Sequence, residues 1–332
     1  MIRKKYGLLF PGQGSQYVGM GKDLYEREAA ARWVFDKAGS LLGMDIKKLC
    51  FLGPEDELMS TKNSQPAIFT TCMAALNVLA EKVKGSPVGK EERDLFSSDD
   101  IVNMASIALG LSLGEPIALV ASGAISFEDG LFFVKERGRL MDEASRKEEG
   151  QMATILGLEL SKIEEICLGL GCQVANLNCP GQVVISGPSS VVELAADLAR
   201  NAGAKRAIVL KVSGAFHSAL MKPAKHELKK VLSNIKINEP AVDFISNLDA
   251  LVTKDPEKIR TNLSDQLDNR TLWEASVTAA VSLGITDFLE VGPGKVLKGL
   301  AKKIDPKLNV TNIETVQDIE NFLGQMASSQ VA

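Results

Sequence analysis

Histidine is scarce in this chain: His217 and His226 are the two it has among 332 residues. Any reaction that needs an imidazole must use one of them. The run His226-Glu227-Leu228-Lys229-Lys230 opens like a zinc-protease helix, but no second histidine follows, so a metal reading fails. His226 also sits in a lysine-rich helix and is expected to face solvent. Cysteine is sparse and scattered: Cys50, Cys72, Cys167, Cys172 and Cys179 are odd in number and include no C-x-x-C pair. Reduced thiols are predicted, with neither a disulfide framework nor a zinc knuckle. Positive charge is not in excess, since 38 Lys and Arg face 42 Asp and Glu for a formal charge of −4. That balance argues against a nucleic-acid binder held by a broad basic surface. No apolar run reaches the roughly 20 residues of a membrane span. The start, Met1 to Tyr6, has no signal-like apolar core, so a cytoplasmic protein is expected.

Nucleotide-binding loops are missing as well. Gly12-Gln13-Gly14 has no glycine at position 17 to complete the dinucleotide fingerprint, and no G-K-[ST] follows it at P-loop spacing. Gly292-Pro293-Gly294-Lys295 lacks the required earlier glycine. Both are expected to be strand-end turns that border a pocket, or turns alone. No cofactor is predicted.

What is present is an ordinary enzyme composition, 45 % apolar and 24 % charged, at a length that suits one large or two interlocked domains. Gly7 to Phe10 is a short apolar strand; helical periodicity follows to about Leu42 and again from Gln65 to about Val83. The charged stretch from Lys84 to Asp100 is expected to be a surface insertion or helix extension. From Gln151 to Val212 the pattern is most regular. It runs strand (151–158), helix (161–170, with Ser161 as N-cap and Glu164 completing a capping box), strands at 173–178 and 182–185, helix (189–202) and strand (205–212). This is βαββαβ, a ferredoxin-like unit. Strands at 242–246 and 287–291 resume the outer alternation. The predicted fold is therefore α/β: a discontinuous α/β-hydrolase-like domain of residues 1–146 and 214–332, interrupted by a ferredoxin-like smaller domain of 147–213.

Gly110-Leu111-Ser112-Leu113-Gly114 is a G-x-S-x-G sequence between an apolar run and a helix-prone segment. Strand, tight turn and helix make it a candidate nucleophile elbow, in which the N–H of Leu113 and the helix N-terminus would face a developing oxyanion. Such short matches also occur by chance as plain glycine-rich turns. A serine nucleophile needs a base, and His217 lies in a weakly polar loop after the last ferredoxin-like strand. More than a hundred residues follow it, so its orienting partner need not be an acid placed before it in the chain.

Six segments occur in a fixed order: Phe10-Pro11-Gly12-Gln13-Gly14-Ser15-Gln16, the elbow with Glu115, Arg137-Gly138, Asn178-Cys179-Pro180-Gly181-Gln182, His217 to Pro223, and Glu290 to Lys295. Together they resemble the malonyl-CoA:acyl-carrier-protein transacylases, over roughly residues 5 to 305. The resemblance implies Ser112 as nucleophile and His217 as general base and later acid. It implies a backbone carbonyl of Gln266 orienting that histidine, and the N–H groups of Gln13 and Leu113 as oxyanion hole. Arg137 would bind the malonyl carboxylate, and Asn176 and Asn178 would line the pocket from the smaller domain. The reaction implied is a ping-pong transfer from malonyl-CoA to the phosphopantetheine thiol of acyl carrier protein, in a monomer. Taken alone, Arg137 would pass for a solvated helix charge no different from Arg139.

The chain departs from the family where Leu111 replaces a histidine, where Pro116 replaces an aromatic, and at Arg270-Thr271-Leu272-Trp273 after Gln266. A serine hydrolase that strips acyl groups would share Ser112 and His217 but has no use for a cation that reads a carboxylate. An inactive carrier-protein scaffold is a third reading, opposed by the intact Ser112 and His217. Lys295, Lys298, Lys302 and Lys303 form the densest basic stretch near a motif and are the candidate docking patch for an acidic carrier protein.

Overall fold

The computed structural model describes residues 5–85 and 98–331. The expected insertion at 84–100 falls mostly outside the described residues. The chain is built around two sheets. The larger contains β1 (Tyr6–Phe10) and β2 (Ala105–Gly110) at its centre. The smaller is made from β3 (Gly150–Leu156), β4 (Gln173–Cys179), β5 (Gln182–Pro188) and β6 (Arg206–Val209). The larger sheet is completed by β7 (Asp243–Ile245), β8 (Val252–Thr253), β9 (Asp287–Val291) and β10 (Asn309–Ile313). Its order is β10-β9-β1-β2-β7-β8, parallel except for the antiparallel edge pair β7–β8.

Alternation along the central strands divides the core. In β1, Leu8 and Phe10 join one apolar cluster and Leu9 the other; in β2, Ala108 opposes Ile107 and Leu109 in the same way, while Ala105 lies before a register shift and joins the cluster of Ala108. Successive side chains leave a strand on opposite faces, so a continuous apolar run marks a strand covered on both sides. The near-unbroken apolar sequence of β1 is the cause of its central, buried place.

The smaller sheet has the order β4-β5-β3-β6, with the antiparallel pairing of a ferredoxin-like unit, and its strands are interleaved with helices Leu160–Leu170 and Ser189–Asn201. Ala153, Ile155, Val174, Val183 and Ile185 face those helices, whereas Met152, Ala175 and Val184 turn to the main core. The unit is thus pressed against the larger sheet's domain, with Thr271 bonded through its backbone to Ala175 and Leu177 of β4.

Two local expectations are corrected. Helix 160–170 starts one residue earlier than predicted, with Glu159 at the N-cap and no side-chain cap. Ser161 is inside the helix, and Glu164 reaches Arg270 at 2.8 Å instead of closing a capping box. A charge partner on the facing segment outcompetes a local backbone bond. The final strand is Arg206–Val209, shorter than 205–212: its ladder with β3 spans Ala153 to Leu156, and single bonds from Lys205 N–H to Leu156 and from Leu210 N–H to Met152, each 2.8 Å, flank it.

Candidate active site

Three adjacent strand ends build the site. Beyond β1 lies the Gln13 loop, beyond β2 the elbow, and beyond β7 Asn247. The carboxyl ends of parallel strands are where α/β sheets place ligands. At the elbow the glycines are steric necessities. A Cβ on Gly110 would lie 2.0 Å from the carbonyl carbon of Gly114, and one on Gly114 would lie 2.1 Å from the carbonyl oxygen of Phe10. Ser112 itself is left-handed, at φ 53°, and His217 likewise at φ 59°. Non-glycine residues in that region carry strain, and such strain concentrates where a side chain must be aimed.

The elbow is held by Asn247. Its Oδ1 accepts the Ser112 N–H at 2.7 Å and its Nδ2 donates to the Gly110 carbonyl at 2.8 Å. The Ser112 hydroxyl is 2.8 Å from His217 Nε2, although the two residues lie on opposite sides of the smaller sheet in sequence. His217 Nδ1 is 2.8 Å from the main-chain oxygen of Gln266. A carbonyl only accepts, so Nδ1 carries the proton and Nε2 offers its lone pair to the serine hydroxyl. Burial, seconded by the positive charge of Arg137, pulls the His217 imidazole down to about 4, which favours this neutral form.

Arg137 is not a surface charge: it is 2 % exposed. It projects from helix Phe127–Lys147 toward helix Thr61–Lys84, and Gly138 is what lets these helices close, since a Cβ there would meet the Thr61 carbonyl oxygen at 2.8 Å. Its Nη1 donates to Gln65 Oε1 at 3.0 Å. Its Nη2 donates to Ser112 Oγ at 3.0 Å and to Gln266 Oε1 at 3.1 Å. The other two N–H groups of its five have no acceptor among the described residues, and no carboxylate there lies within ion-pair distance of it. Burial lowers this guanidinium to about 10, with only partial relief from the charge of Glu115.

Glu115, on the elbow helix Gly114–Ala121, is completely buried. It accepts the Asn247 N–H and the Gln266 side-chain amide. Burial pushes its carboxyl up to about 8, against the pull of the Asn247 N–H, the Ser246 hydroxyl and Arg137. The N–H groups of Leu113 and Gln13 have no acceptor among the described residues. Leu113 is the residue before the elbow helix, where first-turn N–H groups lack intrahelical partners. Gln13 is anchored through its side chain, whose Nε2 donates to Thr61 Oγ1 at 3.1 Å, while Thr61 Oγ1 is 2.7 Å from Ser213 Oγ.

Ser112, His217, Gln266 and Arg137 are therefore brought together by direct contacts. Asn176 and Asn178 are buried but bond to none of the four. Asn176 is spent on the Thr271 hydroxyl, and Asn178 Oδ1 has no partner among the described residues. Leu111 is half-buried against the second apolar cluster. His226 is exposed, as expected. A groove of about 760 Å³ lined by Leu158, Leu177, Cys179, Leu272 and Ala275 includes none of the Ser112 cluster. Gln65, Asn247 and Glu115 escaped the sequence reading. Glu115 had a signal, as the single charge in the otherwise apolar run Gly114 to Ala121.

Among the described residues no helix is long and apolar enough to cross a membrane, and none of the His, Cys, Asp and Glu groups clusters as a metal site would require. Residues 8–303 match the model of the acyl transferase domain family. The chain is 43 % identical over 321 residues to the malonyl CoA-acyl carrier protein transacylase of Bacillus subtilis, 95 % of each chain being covered. The crystal structure of an acyl-carrier-protein-S-malonyltransferase from Bartonella henselae superposes with a TM-score of 0.88 at 36 % identity, over 98 % of this chain and 100 % of that one. A malonyl-transacylase in complex with a type II PKS acyl-carrier protein gives 0.88 at 35 %, over 97 % and 100 %. Likeness of this extent reaches from the Gln13 loop through the elbow to the last strands, and it places the chain in the acyl transferase family, as an acyltransferase.

Proposed function

We propose that this acyltransferase moves a malonyl group from malonyl-CoA to the phosphopantetheine thiol of acyl carrier protein through an ester on Ser112. The observation that carries the malonyl assignment is Arg137: a buried guanidinium without a counter-ion, 3.0 Å from the candidate nucleophile. A buried cation left unpaired is costly, and an acyl group that brings its own carboxylate removes that cost. The relatives named above supply the carrier-protein half of the reading.

In the proposed cycle His217 Nε2 takes the Ser112 proton as Oγ attacks the thioester carbon. The N–H groups of Leu113 and Gln13 receive the developing oxyanion. The intermediate collapses by breaking the C–S bond, and His217 returns its proton to the CoA sulfur. The carrier thiol then gives a proton to His217 and attacks the ester, restoring Ser112. No cofactor is needed. The protein acts in the cytoplasm as a monomer, with residues 147–213 as the smaller domain and Asn176 and Asn178 on its side of the pocket. Intact-mass spectrometry tests the whole scheme: malonyl-CoA should add one malonyl group to the protein, and carrier protein should remove it. Rapid loss of the adduct to water would make the protein a hydrolase, and no adduct would make it a scaffold.

The depressed His217 gives a pH prediction. A base must be neutral to accept a proton, and an imidazole at about 4 remains neutral well below its usual range. The acid limb of kcat/KM for malonyl-CoA should therefore lie near pH 4 to 5, with activity lost as pH falls through it. A limb near 6.5, the ordinary histidine value, in stopped-flow acylation would contradict this assignment.

Carrier docking has to be local, because the chain is slightly acidic overall. Lys295, Lys302 and Lys303 are exposed at the start and end of helix Val296–Ile304, with Lys298 half-buried between. Lys303 also donates to Gln182 of the smaller sheet at 3.0 Å, which brings this end of the helix beside β5. Lys295→Glu with Lys302→Glu should slow transfer to carrier protein several-fold at low salt and leave acylation by malonyl-CoA unchanged. Equal slowing of both half-reactions, measured separately, would remove these lysines from docking.

A further inference from the structure

Glu115 belongs to the Ser112 cluster, yet no step above uses it. Its two oxygens have different tasks. One accepts the Asn247 N–H and so supports the clamp on the elbow; the other accepts the side-chain amide of Gln266. The nitrogen end of the Gln266 amide faces this carboxyl and also reaches the Ser112 main-chain oxygen at 3.5 Å. The oxygen end must then face the opposite way, and there it receives Arg137 Nη2 at 3.1 Å. A primary amide has one donor end and one acceptor end, so fixing one end fixes the other. The main-chain oxygen of the same Gln266 holds His217 and does not depend on this choice.

We propose that Glu115 is a positioning residue for substrate selection: it sets the polarity of the Gln266 amide, and through that amide holds the Arg137 guanidinium in the orientation that receives the substrate carboxylate. The inference rests on the malonyl reading of Arg137. Glu115→Gln isolates the effect. The new side chain keeps an oxygen for the Asn247 N–H, so the elbow clamp survives. Its nitrogen now meets the Gln266 nitrogen, donor against donor. Left in place the Gln266 amide faces a donor, and turned over it faces the Arg137 donor, so either way the Arg137 contact is weakened.

Glu115→Gln should lower kcat/KM for malonyl-CoA about tenfold, chiefly through KM, while acylation by acetyl-CoA changes less than about twofold. Gln266→Met removes the amide, including its 3.5 Å contact with the Ser112 main-chain oxygen, so it should slow both substrates, but malonyl acylation about tenfold more than acetyl. Because both act through one amide, the double variant should be no worse than Gln266→Met alone, rather than showing the product of the two losses. Equal losses with both substrates, no loss with either, or a multiplicative double variant would each overturn the proposal. If Glu115→Gln fails to fold, Gln266→Met decides: an unaltered malonyl-to-acetyl preference sinks the idea. Arg137→Ala, assayed alongside, separates the two levels. If it leaves the preference unchanged, the malonyl reading itself is wrong. If it removes the preference and the Glu115 and Gln266 variants do not, only the positioning role of Glu115 falls.

Discussion

His217→Ala is expected to slow formation of the acyl-enzyme by about 10²–10⁴-fold, the usual contribution of a positioned general base. The argument is geometric. The imidazole is held by two bonds of 2.8 Å, one to the Ser112 hydroxyl and one to the Gln266 main-chain oxygen. Among the described residues the Ser112 hydroxyl has one other side-chain partner, Arg137, which donates a hydrogen bond and cannot accept a proton. With the imidazole gone, no group in contact with Oγ can remove its proton. Binding of malonyl-CoA should survive, because Arg137 and the N–H groups of Leu113 and Gln13 are untouched. The loss should therefore fall on the acylation rate at saturating substrate, read by quenched-flow mass spectrometry. His226→Ala is the control, since its side chain is 74 % exposed, and it should be silent. Acylation within about tenfold of the parent in His217→Ala would take the histidine out of the mechanism.

The orienting partner of that histidine explains part of what the sequence could and could not reveal. A main-chain carbonyl carries no side-chain signature, so spacing alone could not have found Gln266; resemblance to a family pointed there. The structure puts its carbonyl on His217 despite the altered Arg270-Thr271-Leu272-Trp273 that follows. The elbow, in contrast, was legible from first principles. Gly110 and Gly114 are required by close approaches of 2.0 and 2.1 Å, and the apolar runs of β1 and β2 announce strands buried on both faces. The βαββαβ order was readable for the same reason, because strand and helix periods alternate cleanly. What failed was local competition. Ser161 and Glu164 have the spacing of a capping box, but Arg270, 106 residues away, takes the glutamate. Asn247 and Gln65 are hidden by a similar cause. Each is an ordinary amide whose importance lies in which distant residue it meets.

Arg137 shows the same limit more sharply, and it supports the last prediction. Sequence cannot separate Arg137 from Arg139, two positions along one helix. Burial separates them: Arg139 bonds Glu136 and Glu143 at the surface, whereas Arg137 is sealed between Gln65, Gln266 and Ser112. Arg137→Ala should cut malonyl transfer roughly ten- to a few hundred-fold, because each charge-assisted hydrogen bond to a buried carboxylate contributes about 1.5–3 kcal/mol. Lysine should not rescue it, since one ammonium cannot hold Gln65, Gln266 and a carboxylate in a planar fork. Acetyl transfer should fall far less, or rise. A neutral acyl group gains nothing from the guanidinium and enters a site where an unpaired buried cation is unfavourable. Removing Arg137 also takes away the nearest positive charge on His217, whose imidazole should move back up toward its ordinary value. The acid limb of acetyl transfer in Arg137→Ala should accordingly shift to higher pH than in the parent. Malonyl and acetyl rates measured across pH in both proteins decide the matter: an unchanged preference and an unmoved limb would mean that the guanidinium serves only to brace the fold.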